Sequence, residues 1–118
     1  MKMNYFVVGT NDMAAATDFY DALFDGNGLT RAPASERMTY WLGADFAFAV
    51  AIPFDGEPAT RGNGTMVGFC VGSAEAVRQH HARAIALGGT SEGDPDQRGP
   101  RYSAYARDLD GNKLCFSD

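Results

Sequence analysis

The same order of secondary-structure signals occurs twice along the chain, about 61 positions apart. In the first half, an apolar segment over 5–9 precedes a helix that Asp12 is placed to cap. In the second half, a similar segment over 66–71 precedes a helix that Ser73 is placed to cap. This duplication predicts two modules of the same architecture, each with a strand before its helix.

The segments after each helix have the composition of short strands. Those of the first half lie at 29–32, 38–42 and 46–52. In the second half, Gly88-Gly89 ends the helix, and the segment 91–101, rich in Gly, Pro and Asp, predicts a loop. A closing hairpin follows, with strands over 102–107 and 113–116.

A turn-rich stretch separates the two halves. Residues 53–65 are dense in Pro, Gly, Asp and Asn, a composition typical of a linker. A chain of 118 residues is about the size of one small domain. We therefore expect a single α+β domain, with module 1 over 1–52, the linker over 53–65 and module 2 over 66–118.

The closing hairpin carries a specific turn motif. The string RDxDGNxL runs from Arg107 to Leu114, and Asp110-Gly111-Asn112 supplies residues that tolerate tight turns. The string resembles the signature of the vicinal oxygen chelate superfamily, which holds glyoxalase I, extradiol dioxygenases and bleomycin-binding proteins. The resemblance implies two tandem βαβββ modules that form a curved mixed sheet with the helices on its outer face. It also implies a concave ligand pocket and a homodimer.

Metal-dependent members of that superfamily hold a divalent ion with His and Glu from the first and last strands of each module. The resemblance places these ligands at Tyr5, near Ala47 or Phe48, at Met66 and at Cys115. Such a set does not match the ligand preferences of Zn²⁺, Ni²⁺ or Fe²⁺. No metal or other cofactor is therefore expected.

The two histidines do not supply a substitute metal site. His80 and His81 are adjacent on a predicted helix, so their side chains diverge by about 100°. We expect them to pack, partly exposed, against the sheet, in the positions that Phe19 and Tyr20 occupy in the first module.

Several side chains are candidates for the ligand pocket. Tyr5 can donate a hydrogen bond from a pocket floor, or it can fill space left by a missing metal. Cys115 is either a small buried side chain or a reactive thiol. The resemblance implies that it lies near Met66 on the neighbouring parallel strand, with Cys70 four residues further along that strand.

Arg98 and Arg101 flank Gly99-Pro100 and either clamp a carboxylate or remain solvated. The full set of candidates is Tyr5, Met66, Cys115, Phe48, Trp41, Tyr102, Arg98 and Arg101.

Composition excludes several classes of partner. A net charge of −5 argues against nucleic-acid binding, which requires a basic surface. No apolar run approaches the roughly 20 residues of a membrane span, and the N-terminus has no signal-peptide pattern. Two cysteines without CxxC spacing suit a reducing cytoplasm.

Three functions are compatible with these features. The first is metal-independent binding of a small aromatic or apolar molecule, supported by the absent metal ligands and the aromatic-rich strands. The second is an atypical glyoxalase-like lyase, isomerase or dioxygenase that uses Tyr5, Cys115 and loop residues. The third is an interaction protein whose pocket is filled by its own side chains. Binding ranks first, and glyoxalase I turnover is not expected.

Overall fold

The computed structural model describes all of residues 1–118 and contains two compact units, 1–61 and 62–118. Each unit has one helix and one four-stranded mixed sheet, in the order strand, helix, strand, strand, strand. The α+β class and the two tandem βαβββ modules predicted from the sequence are therefore confirmed. The boundary between the units falls inside the turn-rich stretch over 53–65.

The first unit consists of β1 (Tyr5–Gly9), α1 (Met13–Leu23), β2 (Thr30–Ser35), β3 (Met38–Leu42) and β4 (Ala47–Ala51). The strand order in its sheet is β1-β4-β3-β2, with β1 parallel to β4 and the other neighbours antiparallel. Asp12 caps α1 as predicted, because its Oδ1 accepts a hydrogen bond from the Ala15 amide at 3.0 Å.

An aromatic cluster joins α1 to this sheet. Tyr20 lies 4.8 Å from Phe48 and 5.5 Å from Trp41, measured between ring centroids. The indole Nε1–H of Trp41 donates to Asp21 Oδ1 at 2.9 Å, so its one polar group is satisfied where the ring is buried. The cluster places the core of the unit between helix and sheet.

The second unit consists of β5 (Val67–Cys70), α2 (Ala74–Ala86), β6 (Thr90–Arg98), β7 (Arg101–Arg107) and β8 (Lys113–Ser117). Its strand order is β5-β8-β7-β6, with β5 parallel to β8. Ser73 caps α2 through a 3.1 Å hydrogen bond from the Ala76 amide to its Oγ. Gly88 follows the end of the helix with φ +101°, a conformation that favours glycine. Neither helix is long and apolar enough to span a membrane.

The prediction of a loop over 91–101 is wrong for most of its length. Residues 90–98 form β6, which pairs antiparallel with β7 through a ladder that shifts register on both sides of Gly93. The strand lies at the edge of the sheet, where Pro95 and an irregular ladder are tolerated because one side has no strand partner. Turn-forming composition therefore masked an edge strand.

The turn between β7 and β8 is organised by one buried carboxylate. Asp108 Oδ1 accepts hydrogen bonds from the amides of Asp110 and Asn112, each at 2.9 Å, and its Oδ2 accepts from Asn112 Nδ2 at 2.9 Å. Within the turn only Gly111 has a positive φ, at +87°. The motif thus fixes the turn through an Asp–Asn side-chain network and a single glycine.

Candidate functional site

The ladder registers assign each strand residue to one face of its sheet. Partner residues on adjacent strands point to the same face, and successive residues along a strand alternate. We call the face that packs on the helix of the same unit the helix face, and the opposite one the open face.

On the first sheet, the aromatic candidates divide between the two faces. Trp41 and Phe48 are each 1 % exposed and contact α1, so they lie on the helix face and are withdrawn as pocket candidates. Tyr5 lies on the open face, 56 % exposed, with its ring 6.3 Å from that of Tyr40 in an edge-on contact. Tyr40 belongs to this face and was not among the predicted site residues.

The open face of the first sheet is otherwise built from small apolar side chains. Tyr5 is partnered by Ala47 and Val7 by Ala49 across the parallel pair of β1 and β4. Leu42 closes the row beside Ala47 and is 45 % exposed. The face therefore presents two phenol rings and the partly exposed Ala47, whereas Ala49 beneath them is fully buried.

On the second sheet, Tyr102 lies on the helix face rather than in a pocket. The Arg78 guanidinium of α2 lies 5.6 Å from the Tyr102 ring centroid, and Arg78 Nη1 donates to its hydroxyl at 3.4 Å. Phe116 marks the same face, because its ring packs 5.6 Å from the His80 ring. Tyr102 is therefore also withdrawn as a pocket candidate.

Both histidines pack between α2 and the sheet, and both are buried rather than partly exposed. His80 Nδ1 lies 2.7 Å from the Ala76 carbonyl oxygen. His81 Nε2 lies 3.0 Å from Ser91 Oγ, which donates to Asp94 Oδ1 at 3.1 Å. The Ser91 hydroxyl lies between the His81 imidazole and the Asp94 carboxylate. In a nucleophilic triad the imidazole contacts both other groups, so these three residues do not form one.

Four residues converge on the open face of the second sheet: Arg98, Tyr105, Lys113 and Cys115, called here the Tyr105 cluster. Tyr105 and Cys115 are direct partners between β7 and β8. The Arg98 guanidinium carbon lies 5.0 Å, and the Lys113 Nζ 5.2 Å, from the centroid of the Tyr105 ring. Both cations are thus held against one aromatic ring.

Two glycines shape the surroundings of the Tyr105 cluster. A Cβ at Gly93 would lie 2.9 Å from Tyr105 Cδ2 and 3.2 Å from Arg98 Nη2, so the absence of a side chain lets both groups lie over β6. A Cβ at Gly68, the partner of Cys115 on β5, would meet nothing within 4 Å. The sheet surface next to Cys115 is therefore open.

The register also corrects the expected neighbour of Cys115. Met66 was expected beside it, but Met66 precedes β5, and the ladder places Gly68 there. Cys70 consequently lies two residues, rather than four, beyond the partner of Cys115. With about 3.3 Å per residue and about 4.8 Å between strands, the two cysteine Cα atoms are about 8 Å apart. That separation exceeds disulfide reach, and both thiols are free.

The Cys115 thiol is not activated by its surroundings. Burial raises its pKa above the ordinary value of 9.0, and this effect exceeds the opposing influence of a Tyr105 hydrogen bond and of the charges on Arg98 and Lys113. The group is therefore a neutral thiol at neutral pH, which favours the small-side-chain alternative over a reactive nucleophile.

The two candidate arginines are held by separate acceptors. Arg98 Nη1 donates to the Ser103 carbonyl oxygen, and its Nη2 donates to that of Asp94 at 2.8 Å. Arg101 Nη1 donates to the backbone oxygen of Asp118 at 2.8 Å. The two arginines therefore do not form a joint clamp, which was one of the two alternatives. Arg98 instead lies near Lys113, and both contact the Tyr105 ring. Lys113 is on the open face because it precedes Cys115 by two residues on β8.

The strands that would carry metal ligands hold none of the His and Glu residues that serve this role in the superfamily. The sequences of β1, β4, β5 and β8 contain no His, Asp or Glu, so no choice of register brings an imidazole or carboxylate to their open faces. The donors available there include Tyr5, Cys70 and Cys115, and no group of three or more His, Cys, Asp or Glu side chains lies together. These residues do not fit a divalent ion held by His and Glu.

Comparison with known proteins agrees with the architecture. The family model of the glyoxalase/bleomycin resistance protein/dioxygenase superfamily matches residues 2–116. A glyoxalase/bleomycin resistance protein from Albidiferax ferrireducens T118 is 38 % identical, with a TM-score of 0.91 and coverage of 98 % of this chain and 96 % of that one. No curated protein matches the chain significantly.

More distant structures share the fold. A glyoxalase/bleomycin resistance protein/dioxygenase family enzyme from Burkholderia phytofirmans PsJN is 20 % identical, with a TM-score of 0.80 over 99 % of this chain and 98 % of that one. Lactoylglutathione lyase from Agrobacterium tumefaciens is 19 % identical, with a TM-score of 0.73 over 98 % and 92 % of the two chains. The chain belongs to the glyoxalase/bleomycin resistance protein/dioxygenase superfamily.

Proposed function

We propose that this protein binds a small aromatic or apolar molecule on the open faces of its sheets, without a metal ion. One observation carries the proposal: the four strands β1, β4, β5 and β8 contain aromatic, thiol, hydroxyl, lysine and small apolar side chains but no imidazole or carboxylate. Binding requires only accessible apolar surface, whereas the metal chemistry of the superfamily requires ligands that these strands lack.

The chemistry of both open faces supports an aromatic ligand. Tyr5 and Tyr40 offer ring edges and faces beside small alanines, and Gly68 leaves uncovered sheet next to Cys115. A two-ring aromatic molecule that buries about 200 Å² of apolar surface gains about 5 kcal/mol before the costs of association. Since 5 kcal/mol corresponds to a dissociation constant of about 0.2 mM and the costs of association weaken binding, we expect dissociation constants from about 0.2 mM into the millimolar range.

Glyoxalase I activity is not expected from this set of residues. An enediolate intermediate needs a base and an electrophile near the reacting carbons, and the four strands offer neither a carboxylate nor a divalent-metal site. The raised pKa of Cys115 also disfavours thiol chemistry. Turnover of methylglyoxal with glutathione would contradict the proposal.

The test begins with metal content by mass spectrometry, followed by NMR titration of chelator-treated protein with 2-naphthalenemethanol, a neutral aromatic probe. We expect saturable shifts of open-face amides, unchanged when Zn²⁺ or Ni²⁺ is added. Absence of binding up to the solubility limit, or binding only by metal-loaded protein, would overturn the proposal.

Two variants report on the faces separately. Tyr5→Ala removes the exposed ring of the first sheet, and Gly68→Phe fills the open surface of the second. Tyr102→Ala is the matched control, since it removes a partly exposed tyrosine from the helix face. We expect Tyr5→Ala, Gly68→Phe or both to weaken binding several-fold. Weakening by Tyr102→Ala alone would place the ligand elsewhere and contradict the proposal.

A further inference from the structure

We infer that the ligand is an aromatic carboxylate, and that its carboxylate is bound by the Tyr105 cluster through Lys113 and Arg98. This inference rests on the proposed function and specifies the chemical class of its ligand. It assigns a binding role to Lys113 and Tyr105, whereas metal ligation in the superfamily uses His and Glu.

The first argument is the unbalanced charge of the Tyr105 cluster. The chain has 15 acidic and 10 basic residues, yet neither Arg98 nor Lys113 forms an ion pair with a carboxylate. Arg107, the cross-strand partner of Lys113, already holds the nearby Glu92, because its Nε lies 2.7 Å from Glu92 Oε1. Two cations without anionic partners around one ring create a local positive potential on an acidic protein.

The second argument is the hydrogen-bonding state of the two cations. Both terminal nitrogens of Arg98 donate to backbone carbonyl oxygens, which fixes the guanidinium as a positioned charge. The Lys113 ammonium donates no hydrogen bond to the protein, and its Nζ lies 5.2 Å from the centroid of the Tyr105 ring. Its three N–H donors are therefore available to an anion.

The third argument is the apolar surface beside this charge. The Tyr105 ring supplies an aromatic surface, and its neighbour Cys115 is a half-buried neutral thiol. Beyond Cys115, the open position above Gly68 leaves room for a flat group. A molecule with a carboxylate on an aromatic body matches both parts, since the anion meets Lys113 and the ring lies on the uncovered sheet.

The experiment compares 2-naphthoate with neutral 2-naphthalenemethanol, which has the same ring system. We expect wild-type protein to bind 2-naphthoate about tenfold more tightly, a typical contribution of one charge-assisted contact. The preference should fall as NaCl is raised from low to high concentration, because partly exposed charges are screened by salt. The binding of the neutral probe should not change.

Lys113→Gln is expected to abolish the preference for 2-naphthoate and leave the neutral probe unaffected, whereas Lys113→Arg should retain most of it. Lys2→Gln is the matched control, because Lys2 is the other lysine of the chain and lies outside both sheets. Equal loss in Lys2→Gln would indicate a general charge effect and overturn the inference.

The outcomes separate the two proposals. Equal wild-type affinity for both probes, or an unchanged preference in Lys113→Gln, would overturn the inference and leave the proposed binding function standing. Failure to bind either probe would overturn both. A preference for 2-naphthyl phosphate over 2-naphthoate would contradict a carboxylate ligand and point to a phosphate ester on the same cations.

Discussion

Gly93 lies opposite Tyr105 across the β6–β7 ladder, and the Tyr105 ring occupies the space that a side chain at position 93 would need. Gly93→Ala places a methyl group 2.9 Å from Tyr105 Cδ2, so the ring and the Arg98 guanidinium above it must move. We expect a loss of about 1–3 kcal/mol in the free energy of unfolding, measured by urea denaturation.

Gly68→Ala is the matched control for this substitution. Both glycines lie in strands without a positive φ, but a methyl group at Gly68 meets nothing within 4 Å. Its free energy of unfolding should be unchanged or rise by up to about 1 kcal/mol, because alanine restricts the unfolded chain. Equal destabilisation by the two variants would contradict the close packing of Tyr105 on Gly93.

The Asp108 carboxylate holds the turn before β8. Asp108→Ala removes the acceptor of three hydrogen bonds, which come from the amides of Asp110 and Asn112 and from the Asn112 side chain. We expect the free energy of unfolding to fall by about 2–4 kcal/mol. Thermal and urea unfolding measure the loss, with exposed Asp45→Ala as a control that should change it by less than about 0.5 kcal/mol.

The raised pKa of Cys115 predicts an alkaline dependence of stability. Unfolding exposes the thiol, which then ionises at its ordinary pKa, whereas burial keeps it protonated to higher pH in the folded protein. The unfolded state binds fewer protons in this range, so stability falls as pH rises through it and the contribution is fully present below it. Urea midpoints between pH 7 and 10 measure the slope.

Cys115→Ala should flatten this slope relative to wild type, while Cys70→Ala, which removes an exposed thiol, should leave it unchanged. Alkylation provides a second readout. At pH 7.5 iodoacetamide should modify Cys70 first, with Cys115 reacting only as the pH is raised. Faster modification of Cys115 at neutral pH would show an activated thiol and contradict the neutral state.

The division of aromatic side chains between the faces predicts opposite costs for two substitutions. Trp41→Ala opens a cavity in the helix-face core and leaves Asp21 without the indole donor, so it should cost about 3–5 kcal/mol. Tyr5→Ala removes a ring that is 56 % exposed and should cost less than about 1.5 kcal/mol. Denaturation of both variants would reveal a wrong assignment of faces if the costs were similar.

Local signals in the sequence identified every helix and strand except β6, but they did not identify the faces of the sheets. The caps at Asp12 and Ser73 and the turn at Asp110-Gly111-Asn112 depend on nearby backbone groups, so their residue types identify them directly. The strand β4 is apolar at every position, and its alternation cannot tell which side meets the helix. The sequence alone therefore did not show that Phe48, or Trp41 opposite it on β3, faces the helix.

The Tyr105 cluster depends on pairings that no local pattern specifies. Because side chains alternate along a strand, Lys113 lies on the same face as Cys115, and this spacing in the sequence could have identified Lys113 as a site residue. The contribution of Arg98 requires β6 to be a strand, and its turn-forming composition concealed that. Identifying the neighbour of Cys115 required the register of β5 against β8. The register is shifted by two residues from the expected one, so Gly68 lies beside Cys115 instead of Met66.

The sheet of the second unit depends on β8, because this strand lies in its interior. Although β8 is the last strand in sequence, it lies between β5 and β7 and is the sole neighbour of β5. Deletion of 113–118 would therefore remove an interior strand, leaving β5 without backbone pairing and β7 with a new unprotected edge. A truncation there is expected to yield an aggregation-prone polypeptide rather than a shortened, folded one.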